Sequence, residues 1–230
     1  MKKLALIIAV LLLVGIVYTP SQAFDMINKL GVGVDGGIML PISGNVTADS
    51  TVSDYFKAGP SFGFHVKYNV IKEVGIQAGF NYAFMQMEDA IVKDSSAPDP
   101  YINMPQIYLE GILNMGSFFN DNNPNNIWNP FITAGVGLYP WKITTDGVNG
   151  DAQLLSNNEE LKKTSFGINF GGGLEVFATP KISFFAQGKY HYIFTSDSDT
   201  FGADLPDFDD TGYLEFTGGM TYYFPLTSTK

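Results

Sequence analysis

The sequence has no cysteine, no arginine and only two histidines among its 230 residues. Without cysteine there is no disulfide framework, so an exported chain of this composition must draw its stability from burial and from closure of a sheet. Without arginine, and with 13 lysines against 23 acids for a formal net charge of -10, there is no basic patch, and nucleic acid is excluded as a partner. Beyond residue 23 no apolar run approaches the ~20 residues that a membrane-spanning helix needs.

The N-terminus does contain an apolar run. Lys2 and Lys3 precede an unbroken apolar stretch from Leu4 to Tyr18, and the breaker Pro20 leads into the small-x-small ending Ser21-Gln22-Ala23. This is the anatomy of a secretory signal peptide, and we expect residues 1–23 to be cleaved and residues 24–230 to form the mature domain. A single N-terminal anchor is the alternative, but the run is short of bilayer length and the small-residue site follows it directly. No cysteine stands at the cleavage point, which excludes a lipoprotein anchor.

The mature region alternates. From Val74 to Phe84 the even positions are Val, Ile, Ala, Phe, Tyr and Phe, and the odd ones are Gly, Gln, Gly, Asn and Ala. Successive side chains of a strand face opposite sides of a sheet, so one face is apolar and the other small and polar. Seven further runs repeat the split: Gly31 to Leu40, Ser61 to Tyr68, Pro105 to Leu113, Phe131 to Tyr139, Ser165 to Val176, Ile182 to Phe194 and Tyr213 to Phe224. Each is about the ~9 to 11 residues with which a tilted strand crosses the hydrocarbon layer.

A soluble lipocalin-type barrel would also alternate, so charge placement has to decide. None of the apolar-face positions is Asp, Glu or Lys. A basic residue facing lipid at mid-depth costs ~2 to 4 kcal/mol, and acids somewhat less, which accounts for the exclusion. The other face is mainly Gly, Ser, Thr, Asn and Gln, too poor in charge for a soluble exterior, and reads as a lumen. Aromatics mark both rims as membrane girdles: Tyr68, Trp128, Phe177, Tyr222 and Phe224 at one end, and Phe62, Tyr82, Phe84, Tyr192 and Phe194 at the other. Trp141 fits only if Pro140 kinks the strand end, because its parity is inward.

Connections give the orientation. Asn69 to Glu73 and Ala178 to Lys181 are short, and Asn114 to Asn129 is a longer Asn- and Pro-rich turn placed on the same, periplasmic side. Ile42 to Lys57, Gln86 to Pro100, Trp141 to Lys163 and Thr195 to Gly212 are the long outer loops, as a hairpin barrel in the outer membrane requires. The expected fold is therefore all-β, an eight-stranded antiparallel up-and-down transmembrane β-barrel with both chain ends in the periplasm.

With these features in place, the chain resembles the small OmpA/OmpX-like outer-membrane barrels, the family of the outer membrane protein beta-barrel domain, over residues 24 to 224. Gly171 to Phe194 is similar to the family's penultimate hairpin. Thr217, Gly219, Tyr222 and Phe224 resemble the terminal assembly signal, polar-x-Gly-x-x-aromatic-x-aromatic, although PLTSTK follows where most members end. The resemblance implies a monomer in the bacterial outer membrane, with the barrel-insertion machinery as assembly partner and outer-membrane lipid or lipopolysaccharide as its surroundings.

Inward parity collects Asp35, Lys67, Glu110, Glu175, Lys189 and Glu215 in the lumen, with His65, His191, Gln77, Asn81 and Gln187. Buried charges need partners, so bases and acids of neighbouring strands are expected to bridge across the bore. Inward glycines such as Gly75, Gly79, Gly167 and Gly171 open space that Phe131, Tyr139, Phe185, Tyr213 and Tyr223 take up. The fourth outer loop carries Asp197, Asp199, Asp207, Asp209 and Asp210, a weak candidate for a hard cation, but Phe201 and Phe208 break the ligand spacing of a calcium loop. No Ser–His–acid set falls at one rim, so no catalytic residue and no cofactor is expected. The reading is a non-enzymatic barrel supporting envelope integrity or surface interaction; the alternative is a narrow, porin-like or OmpW-like channel for ions or small solutes, hydrophobic ones included.

Overall fold

The structure is a computed structural model, and it describes residues 27–47, 50–86, 101–119, 127–144, 150–151, 160–195 and 209–226. Eight strands close a barrel: β1 (Lys29–Ser43), β4 (Gly59–Asn69), β5 (Val74–Gln86), β6 (Tyr101–Asn114), β7 (Trp128–Thr144), β8 (Lys162–Thr179), β9 (Ile182–Ile193) and β10 (Thr211–Pro225). Each pairs antiparallel with its sequence neighbour, and β1 pairs with β10 to remove the last edge. Two short strands, β2 (Asn45–Thr47) and β3 (Ser50–Thr51), form a separate hairpin in the first outer loop, followed by a helical turn at Val52–Tyr55. Gly44 leaves β1 with φ +114°, a backbone conformation that favours glycine.

The alternation read from the sequence is the alternation of exposure. Val34, Ile107, Phe170 and Phe64 stand more than half exposed on the outer wall, while Asn81, Gln106, Asn169 and Thr221 are buried inside. The strands run past the apolar runs by several residues, to 14 in β6, 17 in β7 and 18 in β8. Their extra length consumes the ends of the expected loops: Ile42, Gln86, Trp141, Lys163 and Gly212 are strand residues.

The girdles differ at one residue. Phe62, Tyr82 and Phe84 pack together at the outer rim, as do Phe166, Tyr192 and Phe194, and Tyr222 meets Phe224 at 4.6 Å on the inner rim. Phe177, expected in the inner girdle, instead points inward, 3% exposed, with its ring 5.7 Å from that of Tyr223. It keeps the parity of Glu175, two residues earlier in β8, and the ladder shifts register only after it. Trp141 also points inward, and no kink at Pro140 is required: its indole N–H donates to Ser165 Oγ at 3.1 Å within an apolar cluster.

One seam is incomplete. β6 and β7 pair from Tyr101–Thr144 to Asn103–Lys142 and again from Ile107–Leu138 to Asn114–Phe131, in one continuous register. Between these segments that register sets Pro105 opposite Pro140. Neither residue has an N–H to donate, so facing prolines leave a gap in the ladder of an otherwise closed wall.

Candidate functional site

Inward-facing side chains fill the bore in layers, and cross-strand register explains how. Gly31 lies directly opposite Tyr223, Gly79 opposite Tyr108, Gly173 opposite Phe131 and Gly219 opposite Phe185. In each pair the ring lies over the glycine, so that a Cβ there would stand 2.6 Å from Phe185 Cζ or 2.8 Å from Phe131 Cζ. These four glycines therefore do not open a channel, since each makes room for one aromatic ring, while Gly75 and Gly171 lie against Asn69 and Lys189.

The six sequence-predicted charges all face this interior, arranged as separate pairs. Lys67 Nζ donates to Glu175 Oε2 at 3.0 Å, joining β4 to β8 on the opposite side of the barrel. Glu175 also accepts from Ser183 Oγ at 2.6 Å, Tyr223 OH at 2.5 Å and Asn129 Nδ2 at 3.3 Å. Lys189 Nζ donates to both oxygens of Glu110, at 2.7 and 3.0 Å, and lies 4.3 Å from the centre of the Tyr108 ring. These links cross the bore, in place of the neighbouring-strand partners expected from the sequence. An eight-stranded bore is narrow enough for a lysine to reach the far wall.

The histidines complete the set. His191 shares hydrogen bonds with Glu215 Oε2 at 3.1 Å and Tyr139 OH at 3.0 Å, and the Asn81 amide donates to Glu215 Oε1. His65 bonds Asp35 Oδ2 through Nδ1 at 3.2 Å and Thr221 Oγ1 through Nε2 at 3.1 Å. Acid, imidazole and hydroxyl are thus connected in the order used by nucleophilic hydrolases. Thr221 is absent from the sequence-derived candidates, which required a serine at a rim; its inward parity in β10 was the available signal. The space beside this triad, lined in part by Gln77, Phe131 and Glu175, holds about 10 Å³, room for about one water and not for a substrate.

Toward the outer mouth polarity reverses. Met39, Met85, Met104, Trp141, Ile143 and Tyr213 form a buried apolar layer, which Phe56 and Leu161 join from the outer loops. The space left there is also about 10 Å³. At the opposite end of the bore Ile127, Phe177 and Tyr223 make a smaller apolar layer.

The residues of the expected assembly signal occupy both faces of β10 (Thr211–Pro225). Thr217 accepts a hydrogen bond from Gln187 Nε2 at 2.9 Å and Gly219 receives the Phe185 ring, while Tyr222 and Phe224 face outward. Of the acidic loop, Asp197, Asp199 and Asp207 lie outside the described residues, as do residues 1–26 with the expected signal peptide. Asp210 accepts from Tyr192 OH at 3.1 Å, and Asp209 accepts from the Asp210 amide at 2.7 Å. Among the described residues no group of three or more His, Asp or Glu could hold a metal ion.

Residues 9–224 match the family described as the outer membrane protein beta-barrel domain. Among solved structures the fold is similar to Neisserial surface protein A, with a TM-score of 0.56 and 15% identity over 85% of this chain and 97% of that one. It is also similar to the outer membrane protein OprG from Pseudomonas aeruginosa, TM-score 0.55 and 12% identity over 89% and 98%. A major outer membrane protein from Thermus thermophilus gives 0.50 and 12% over 85% and 98%. At these identities the likeness is one of fold. No curated protein matches the sequence.

Proposed function

The chain belongs to the outer membrane protein beta-barrel domain family, and from that premise we propose that it is a closed, non-enzymatic barrel that supports envelope integrity and carries its long loops at the cell surface. The observation behind this reading is the vertical order of the lumen. An apolar layer at the mouth overlies buried ion pairs, and a second apolar layer lies at the periplasmic end. A hydrated ion meets few polar groups at the mouth, where Thr195 and Thr211 stand in an otherwise apolar or aromatic lining, and below it meets charges already engaged with one another. Desolvation without compensation makes both steps unfavourable.

The same packing argues against catalysis. The Asp35–His65–Thr221 chain has the connectivity of a hydrolase relay but no cavity for an ester or amide beside it. Its hydrogen bonds tie β1, β4 and β10 together next to the closure of the barrel.

The cellular test is a strain lacking the gene. We expect faster entry of a hydrophobic dye, restored by the wild-type chain and equally by the His65→Gln variant. Restoration by wild type but not by His65→Gln, with both present in equal amounts in the outer membrane, would contradict a purely structural role for the relay.

A further inference from the structure

The gap in the β6–β7 ladder opens into a cavity on the barrel wall of about 420 Å³, within the ~300 to 1,000 Å³ of typical ligand sites. It is lined by Pro105, Pro140 and Tyr82 together with Lys142, Lys162, Lys163 and Thr164. Tyr82 pairs with Pro105, and Pro140 pairs with Thr164, so these residues form one row across β5 to β8. The row lies at the level of the outer aromatic girdle, where Tyr82 packs on Phe62 and Phe84. This is the depth at which the headgroups of outer-leaflet lipids begin.

Charge singles the cavity out. The chain carries a net charge of -10, yet three of its 13 lysines line this one cavity. Lys142 donates to the Gly150 carbonyl at 3.3 Å, and Lys162 pairs with Glu160. The Lys162–Glu160 pair is exposed, 59% and 44%, and exchange of such a surface pair for another anion costs little. Beyond the lining, the next outward-facing pair of this seam is Ile107 and Leu138, both about half exposed on the outer wall.

We propose that this seam is a docking site for the phosphorylated headgroup of an outer-leaflet lipid. The ammonium groups of Lys142 and Lys162 meet the phosphate as point charges, Lys163 adds positive charge at the edge of the cavity, the Thr164 hydroxyl adds a donor, and an acyl chain lies over Pro105, Pro140, Ile107 and Leu138. A free phosphate would use only the upper half of the site, which is why the occupant is a lipid. The proposal rests on membrane insertion and not on the lumen being closed. The facing prolines give the seam its purpose here: a fully paired ladder would carry the wall straight past the headgroup.

The protein has two tryptophans, and only Trp141 lines the cavity, so the Trp128→Phe variant leaves a single reporter. It would be placed in nanodiscs of phosphatidylcholine and titrated with phosphatidic acid, with diacylglycerol of the same acyl chains, and with inorganic phosphate. We expect a saturable change in Trp141 emission with phosphatidic acid alone, and a half-saturation point raised about tenfold or more, equivalent to about 1.4 kcal/mol, by Lys142→Gln/Lys162→Gln/Lys163→Gln. An equal response to diacylglycerol, an unchanged curve in the triple variant, or no saturable response to phosphatidic acid overturns the proposal. Inorganic phosphate matching the lipid curve also overturns it, in favour of a soluble-anion site. Should the triple variant fail to fold, the comparison of phosphatidic acid with diacylglycerol on the Trp128→Phe protein decides alone. Bilayer conductance does not enter this test, so the proposal and the closed-barrel reading can fail separately.

Discussion

The imidazole of His65 lies across Gly33, its register partner on β1, and reaches Thr221 on the strand beyond. A Cβ at position 33 would collide with His65 Nε2 and stand 2.7 Å from the Met220 carbonyl oxygen. The backbone contact cannot be relieved by a rotamer change, and the Phe185 ring, 5.3 Å away, limits retreat of the imidazole. Gly33→Ala is therefore expected to destabilise the barrel by about 1–3 kcal/mol, the usual range for overpacking. Urea unfolding in lipid vesicles measures it, and an unchanged midpoint would show that the lumen relaxes more freely than this packing allows.

Lys67→Met leaves Glu175 buried without its cation, although Ser183, Tyr223 and Asn129 still donate to it. Breaking such a pair costs about 3–5 kcal/mol, whereas replacing both partners by apolar groups of similar shape is often close to neutral. We expect Lys67→Met/Glu175→Met to unfold at a higher urea concentration than Lys67→Met. The reverse order would mean that the neutral donors, not the lysine, hold the carboxylate.

On the lipid side, Val34 is 57% exposed on the outer wall, between the two girdles. Val34→Lys is expected to lose about 2–4 kcal/mol, the depth-dependent cost of a basic group near the midplane. Ala58→Lys, exposed in the first outer loop, should stay within about 0.5 kcal/mol of wild type. Equal effects at the two sites would place Val34 outside the hydrocarbon layer.

Asp54 in the first outer loop accepts from the Thr51 amide at 2.8 Å and the Thr51 hydroxyl at 2.9 Å. These donors favour the carboxylate and hold its pKa below the usual aspartate value of 3.8. A folded pKa lower than the unfolded one means the turn is stabilised above the ordinary carboxylate range and loosens as pH falls through the depressed value. An NMR titration of the Thr51 amide should give a midpoint below 3.8, abolished in Asp54→Asn. A midpoint at or above 3.8 would mean the hydrogen bonds are not populated in solution.

Strand positions and facing were legible in the sequence because an inward–outward period of two needs no knowledge of the neighbouring strand. The inward charges followed from the same parity. Partners did not: that Lys67 reaches Glu175 on the far wall, or that Gly79 receives Tyr108, depends on register and on bore width, which no single strand encodes. Residue type puts Phe177 in a girdle while its parity points inward, and parity prevails: the ring is buried in the bore, 5.7 Å from that of Tyr223. The facing of Pro105 and Pro140 likewise emerges only once β6 and β7 are aligned.

Planar-bilayer recording of the purified protein tests the closed lumen most directly. With apolar layers at both ends and the ion pairs between them intact, the wild-type barrel is expected to show no unitary conductance steps at high salt. Reproducible steps whose size changes on Lys67→Ala or Glu175→Ala would contradict the account and establish a channel through the ion-pair layer.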